Sequence, residues 1–200
     1  MIEVEIKAKI SDPEGIREKF KIKNGIYILS LHHEDTYFNM PKKLRDFRET
    51  DEALRIRKSV EYEDGFESAE SRINYYLTYK GKKLDSLTKT RKELEISVSN
   101  GDIMKDLLNS LGFREVLTIV KERELYEVHH KNKVILALID YIPILNEYFI
   151  EVELITESTE KVEVARDLLF EFLSSINIKR EESIRKSYLE LILEKKNNKI

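Results

Sequence analysis

The stretch Ile2-Glu3-Val4-Glu5-Ile6-Lys7-Ala8 alternates apolar and charged residues at the start of the chain. Side chains point to opposite faces along a β-strand, so Glu3, Glu5 and Lys7 share one face and the aliphatic residues share the other. One face therefore has the character of a core, and the opposite face is ionic. A strand with one solvated face has the same alternation, so the interpretation depends on whether the pattern recurs.

The alternation recurs on later segments, with both signs of charge. Arg55 and Arg57 share one face of a predicted strand, and Glu151 and Glu153 share one face of a late strand. Further segments of the same kind carry Lys80, Arg91, Glu93, Glu95, Lys121 and Arg123, and an apolar run ends on Asp140. Ionic side chains are therefore predicted on strand after strand.

The length and composition favour one domain. The chain has 200 residues, of which 41% are hydrophobic, and this is ample for a single core. We expect the domain to span residues 1–195 and residues 196–200 to form a disordered tail. A charged fraction of 36% without Cys or Trp is typical of a thermophile, and also of a compositionally biased genome.

The charge and residue usage exclude several classes of function. A net charge of −3 argues against general nucleic-acid binding. The chain has no cysteine, and its four histidines have no zinc-ligand spacing, so any metal is expected to be held by oxygen atoms. A signal segment and a bilayer-spanning apolar run are both absent from the sequence, so we expect a cytoplasmic protein without membrane contact.

The predicted elements indicate an α+β, mainly antiparallel fold. Strands are predicted near residues 2–10, 25–31, 33–40, 51–62, 74–81, 91–98, 113–128, 133–140 and 148–155. Short helices are predicted near residues 13–20 and 100–111, and from about Ser158 and Ser183. This order favours an eight-stranded closed β-barrel with a few peripheral helices and room for one small ligand. Residues 61–75 are predicted to form a lid or a mobile hairpin.

Charged faces that point inward restrict what the barrel can bind. Burying unpaired charge costs several kcal/mol per ion, so such a cavity holds water and counter-ions. A polyphosphate with a divalent metal meets both requirements, because carboxylates bind Mg²⁺ or Mn²⁺ and Arg and Lys neutralise phosphate oxygens. Two such metals can activate an attacking oxygen and stabilise a leaving phosphate.

Short strings of residues along the chain carry a family resemblance. They are Glu3-x-Glu5-x-Lys7, Asp35-Thr36-Tyr37-Phe38, Asp51-x-x-Leu54-Arg55-Ile56-Arg57, Thr78-Tyr79-Lys80-Gly81, Arg91-x-Glu93-x-Glu95, Leu111-Gly112-Phe113, Lys121-x-Arg123, Asp140 and Phe149-x-Glu151-Val152-Glu153. In this order the sequence resembles the CYTH family, the triphosphate tunnel metalloenzymes, which includes thiamine triphosphatases. The ending Lys186-Ser187-Tyr188-Leu189-Glu190-Leu191 is similar to that of the class IV adenylate cyclase branch.

The resemblance implies roles for individual residues in a triphosphate-binding tunnel. The metal-binding and thereby catalytic residues would be Glu3, Glu5, Glu151 and Glu153, with Asp140 beside them. The phosphate-binding residues would be Lys7, Arg55, Arg57, Lys80, Lys121 and Arg123. Glu93 and Glu95 would organise the basic residues through ion pairs, or contact an adenine or a metal, and we favour the structural role. For Arg91, the resemblance implies either a phosphate contact or an ion pair.

The resemblance also implies an activity. The leading expectation is a Mg²⁺- or Mn²⁺-dependent adenylate cyclase that converts ATP to cyclic AMP and pyrophosphate. The alternatives are a triphosphatase acting on inorganic or thiamine triphosphate, and a triphosphate-binding protein without turnover. A homodimer is the default oligomer.

The sequence departs from the family pattern at two places. His33 stands where glutamine is frequent, and Asn146-Glu147 replaces Leu-Gly. Asn tolerates the left-handed backbone of a turn, so the turn near residue 146 is expected to persist. All four histidines are predicted to be non-catalytic, and Tyr188 is predicted to be an apolar anchor whose hydroxyl reaches the surface.

Overall fold

Eight strands form the body of the protein in the computed structural model, which describes residues 2–63, 71–84, 88, 90–156 and 161–197. The strands are β1 Ile2–Ile10, β2 Ile26–Asn39, β3 Ala53–Tyr62, β4 Arg72–Lys83, β5 Arg91–Val98, β6 Arg114–His130, β7 Lys133–Ile142 and β8 Glu147–Thr156. The helices are α1 Pro13–Ile22, α2 Gly101–Ser110, α3 Val162–Ser175 and α4 Tyr188–Asn197, with a 3₁₀ turn at Arg180–Glu182.

The eight strands close into an antiparallel barrel in the order β1-β5-β4-β3-β2-β6-β7-β8, so the predicted fold class is confirmed. In this order β1 and β8 lie across the barrel from β2 and β3. The register of β1 on β8 sets Glu5 opposite Glu153 and Lys7 opposite Glu151. Directly opposite residues of an antiparallel pair share a face, so these charges lie together.

The apolar face of the opening stretch is the outer face of the barrel. Val4, Ile6 and Ala8 are buried there under α1 and α3, in one cluster with Phe20 and Leu169. The main core therefore lies between the barrel wall and these helices, and the ionic face of β1 points into the barrel. The side-chain periods of two residues in a strand and 3.6 residues in a helix both direct apolar residues into this core.

Two predicted boundaries are wrong. The segments predicted near residues 25–31 and 33–40 are one strand, β2, because its residues pair with both β3 and β6. The last helix begins at Tyr188 and not near Ser183. Ser183 instead forms a bridge with Ala8, and the Ile184 N–H donates to the Lys7 carbonyl at 2.6 Å, which keeps this segment extended.

Other predictions on the chain's organisation have different outcomes. The turn at Asn146 is confirmed, with φ at 55°. The predicted hairpin tip and the predicted start of α3 lie partly or wholly outside the described residues, which omit residues 64–70 and 157–160. α4 continues to Asn197, and residues 198–200 of the predicted tail are also outside them. Within the described part of the chain, no helix has the length and apolar character to cross a membrane.

Leu169→Ala should lower the free energy of unfolding by about 2–5 kcal/mol, because the Leu169 side chain is fully buried between α3 and the barrel. Val164→Ala on the same helix is the matched control, since Val164 is 72% exposed. Its effect should stay within about 0.5 kcal/mol. Chemical denaturation of both variants measures the difference, and equal losses would refute the packing role of α3.

Candidate functional site

The barrel encloses a cavity of about 760 Å³, a volume that is usual for small-molecule sites. Its lining includes most of the charged residues singled out in the sequence: Glu3, Glu5, Arg55, Arg57, Lys80, Arg91, Glu93, Glu95, Lys121, Arg123, Glu151 and Glu153. Lys7 and Asp140 are not among the lining residues. The alternating charges of separate strands therefore meet in one space.

Three carboxylates form a cluster on one wall of the cavity. Glu3 and Glu5 from β1 and Glu153 from β8 each offer an oxygen, and these oxygens lie within 4.8 Å of one another. The register of β1 on β8 produces this arrangement, since Glu5 is directly opposite Glu153. We refer to Glu3, Glu5 and Glu153 as the acid cluster. Carboxylate oxygens at this spacing suit a hard divalent cation such as Mg²⁺ or Mn²⁺.

The raised pKa values of carboxylates in the acid cluster also suit a cation site. Burial raises the pKa of Glu153 well above its usual value, and the neighbouring Glu3 and Glu5 raise it further. Burial likewise raises the pKa of Glu3, and Glu93 adds to this while Lys80 opposes it. Buried like charges are stabilised by a bound cation, so the donor set and its charge both fit a divalent metal.

The opposite wall presents a pair of arginines held by Asp35. Arg57 donates from Nε and Nη2 to the two carboxylate oxygens of Asp35 at 2.7 and 2.8 Å, and Arg55 Nη1 donates at 3.4 Å. Burial opposes ionisation of Asp35, but the two arginines outweigh it and hold its pKa well below the usual value. The sequence placed Asp35 in a family string without assigning it a role. The sequence feature that could have indicated this role is the position of Asp35, which shares one face of β2 with Tyr37.

The acids of β5 pair with basic residues of β3 and β4. The Lys80 ammonium lies 2.5 and 2.7 Å from the two Glu93 oxygens, and Arg55 Nη2 lies 3.5 Å from Glu95. Burial would raise the pKa of Glu93, but Lys80 and Arg55 hold it below the usual value. These contacts match the geometry of the ion-pair role favoured for Glu93 and Glu95, which stays a prediction. Arg91 donates to the Gly81 carbonyl at 3.3 Å, and its function also stays a prediction.

Asp140 holds a third arginine, Arg123. Arg123 donates from Nε and Nη2 to the two Asp140 oxygens, both at 2.6 Å, and Nη2 also donates to Glu151. Asp140 is 0% exposed, and Lys121 lies 3.8 Å from it. Burial and the Arg123 charge lower the pKa of Lys121 to about 8. Asp140 thus contacts basic residues, and its predicted place beside the metal ligands stays a prediction.

The carboxyl-terminal segment reaches this network. The Lys7 ammonium is fully buried, donates to the Lys186 carbonyl at 2.5 Å and lies 4.0 Å from the centre of the Tyr188 ring. Its predicted phosphate contact stays a prediction. The prediction that the Tyr188 hydroxyl reaches the surface is wrong, because the hydroxyl is buried and donates to Asp140 Oδ2 at 2.8 Å. The local sequence could not reveal this partner on another element.

His33 lies on the same face of β2 as Asp35 and is buried. Burial and the nearby charges of Arg57 and Lys121 lower the pKa of the His33 imidazole well below its usual value. The ring is therefore neutral at physiological pH, and the non-catalytic assignment of His33 stays a prediction.

The mouth of the cavity differs from its interior. It is lined by residues of the β2–β3 connection, of the start of β6 and of one side of α4, including the apolar residues Phe47, Val116, Leu189 and Leu193. Tyr37 lies further in, beside Arg55 on the neighbouring strand. The cavity therefore combines an ionic interior with a partly apolar entrance.

Comparisons with known proteins agree with this architecture. The family model described as the CYTH domain matches residues 1–188. A Methanocaldococcus jannaschii protein named “Putative adenylate cyclase” is 43% identical over 192 residues, which cover 96% of this chain and 98% of that protein. The PH1819 protein structure from Pyrococcus horikoshii has a TM-score of 0.82 and 36% identity, and the match covers 96% of this chain and 99% of that one.

A more distant solved structure has the same fold. It is a Hippeastrum protein named “Putative adenylyl cyclase”, which has a dominant triphosphatase activity. Its TM-score is 0.61 with 17% identity, and the match covers 96% of each chain. At this identity the likeness concerns the fold alone.

Glu153→Gln should raise the thermal stability of the metal-free protein at neutral pH, because the ionised carboxylate is buried beside Glu3 and Glu5. The folded-state pKa lies above the unfolded one, so stability is lost as the pH rises through the folded pKa. The advantage of the variant should therefore be present at about pH 8 and disappear near about pH 4.

Melting curves in a chelating buffer across that pH range test this expectation. Glu163→Gln is the control, since the Glu163 side chain is 79% exposed on α3. A Glu153→Gln protein that melts below the wild type at neutral pH would contradict the repulsion within the acid cluster.

Proposed function

Because the chain belongs to the CYTH family, we propose that it is a divalent-metal-dependent enzyme that acts on an organic triphosphate inside its barrel. Adenylate cyclase chemistry is the leading activity. The observation that carries the proposal is that the acid cluster and a set of arginines and lysines line the same cavity. A triphosphate with its divalent cation presents the complementary charges to both.

Glu3, Glu5 and Glu153 are the residues that would hold the cation, with Glu151 beside them on the face that β8 turns to the interior. When bound, a divalent cation lowers the pKa of an attacking oxygen and neutralises phosphate charge. Mg²⁺ and Mn²⁺ both suit an all-carboxylate set.

The basic residues would bind the phosphate oxygens. Arg55 and Arg57 approach from β3 and Lys80 from β4, and each is already held by a carboxylate of a neighbouring strand. Donors that are fixed before the substrate binds need little reorganisation when charge develops on the leaving group. In the cyclase reaction the ribose 3′-oxygen bonds to the α-phosphorus, the bond to pyrophosphate breaks, and the hydroxyl proton passes to solvent.

The entrance favours an organic triphosphate over an inorganic one. Phe47, Leu189 and Leu193 line the outer part of the cavity and offer apolar surface to a nucleoside. The name of the 43% identical relative supports a cyclase. A triphosphatase would use the same charges and would differ in which phosphorus stands in line with the nucleophile.

Product analysis tests the proposal. The purified protein is incubated with Mg²⁺ or Mn²⁺ and with ATP, inorganic triphosphate or thiamine triphosphate in parallel, near neutral pH and at alkaline pH. Cyclic AMP with pyrophosphate is the expected result. Orthophosphate as the product would replace the cyclase with a triphosphatase, and tight binding without any product would overturn the enzymatic proposal.

Glu5→Gln should lower metal-dependent turnover by roughly a hundredfold or more, because a bound cation supplies several kcal/mol of catalysis. Glu147→Gln is the control, since Glu147 pairs with Lys9 at the edge of the barrel. Turnover and the melting temperature are measured for both variants. Full turnover in Glu5→Gln would exclude this carboxylate from the cation site.

Arg57→Ala should weaken triphosphate binding by about 1.5–3 kcal/mol if Arg57 makes a charge-assisted contact with phosphate. Lys58→Ala is a closely matched control, because Lys58 is the next residue of β3 and pairs with Glu34. Isothermal titration calorimetry measures both affinities. Equal affinities in the two variants would place Arg57 outside the binding site.

A further inference from the structure

Residues 183–188 connect the carboxyl-terminal helix to the first strand of the barrel. Ser183 bridges Ala8, and the Ile184 N–H donates to the Lys7 carbonyl. The segment then delivers Tyr188, the first residue of α4, to the barrel interior with only 7% of its surface exposed. A buried tyrosine normally needs a hydrogen-bond partner for its hydroxyl, so the choice of partner is informative.

The Tyr188 hydroxyl is the start of a chain of contacts that ends in the cavity. It donates to Asp140 Oδ2 at 2.8 Å. The Asp140 carboxylate also accepts hydrogen bonds from Arg123 Nε and Nη2, both at 2.6 Å. Arg123 lines the cavity, whereas Asp140 is completely buried. Buried polar groups are oriented by their hydrogen bonds, so the Tyr188 hydroxyl helps to fix the Asp140 carboxylate.

The ring of Tyr188 contacts further charges of the same region. The Lys7 ammonium lies 4.0 Å and the Lys121 ammonium 5.5 Å from the ring centre. Ammonium groups within about 6 Å of an aromatic ring are attracted to its face. Tyr188 therefore touches one carboxylate with its hydroxyl and two lysines with its ring.

The position of Arg123 matters because a competing partner is close. Arg123 Nη1 lies 4.0 Å from Glu153, which belongs to the acid cluster, while its other nitrogens are held by Asp140 and Glu151. An arginine released from Asp140 could turn towards Glu153 and neutralise it. The acid cluster would then lose attraction for a divalent cation, and the phosphates would lose a donor.

We propose that Tyr188 is a positioning residue, which holds Asp140 and thereby keeps Arg123 directed at the substrate phosphates and limits its approach to Glu153 of the acid cluster. The proposal rests on the proposed function, because the triphosphate and its cation are the ligands affected. Tyr188 lies on the same helix as Leu189, Glu190 and Leu193, which line the mouth of the cavity, so one helix contacts both the mouth and the interior.

Binding of inorganic tripolyphosphate in saturating Mg²⁺ tests the proposal by calorimetry. Tyr188→Phe retains the ring and removes the hydroxyl, and it should weaken tripolyphosphate binding roughly 5- to 20-fold. Mg²⁺ binding to the free protein should weaken in the same variant. Tyr141→Phe is the matched control, because its hydroxyl donates to Asn146 at the surface, and its affinities should stay at the wild-type level.

A double-variant cycle shows whether the effect passes through Asp140. In an Asp140→Asn background, Tyr188→Phe should add less than about a twofold weakening, because the carboxylate it orients is gone. Equal weakening in both backgrounds would overturn the proposal. If Asp140→Asn does not fold, Tyr188→Phe alone decides, since reduced stability with unchanged tripolyphosphate affinity would leave only a structural role.

The proposed function and this proposal fail in different ways. If the wild-type protein binds neither tripolyphosphate nor ATP, both are overturned, and if it binds ATP alone, the same comparison is made with ATP. If the wild type and Tyr188→Phe bind it equally, the positioning proposal fails and the proposed function stands.

Discussion

Ion pairing between neighbouring strands allows this barrel to have a charged interior. Asp35 holds Arg57, Glu93 holds Lys80 and Asp140 holds Arg123, each across a strand boundary. Removing one partner of such a buried pair typically costs about 3–5 kcal/mol, because the other charge stays buried. The acid cluster departs from this balance, since burial and its own like charges raise the pKa of Glu153. The excess negative charge of the acid cluster therefore suits a bound cation.

A charged interior is possible because the hydrophobic core lies elsewhere. The outer faces of β1, β7 and β8 pack against α1 and α3, and this cluster is where apolar surface is removed from water. Strand alternation leaves much of the inner face to charged residues. At one end of that face, Tyr37 and Phe149 pack with Tyr188 in a second, smaller apolar cluster. The barrel can hold a cavity of about 760 Å³ without giving up this outer core.

The two ends of the chain meet at the site. β1 supplies Glu3 and Glu5, and the segment that leads into α4 lies against β1 and inserts Tyr188 behind Asp140. The same helix lines the entrance of the cavity. One helix therefore contributes both to the lining of the cavity and, through Tyr188, to the contacts that hold Asp140 and Arg123.

The sequence by itself indicated most of the strands and their ionic faces, because side-chain alternation is a local property with a period of two residues. The closed barrel was inferred from the number and order of the strands and from the family resemblance. The sequence also indicated twelve of the charged residues that line the cavity, including Glu3, Glu5 and Glu153. The tertiary structure alone decided which charges pair. The contacts of Asp35 with Arg57 and of Tyr188 with Asp140 depend on strand order, register and the docking of a distant segment. Those long-range relations arise only when the sheet closes, so no local pattern contains them.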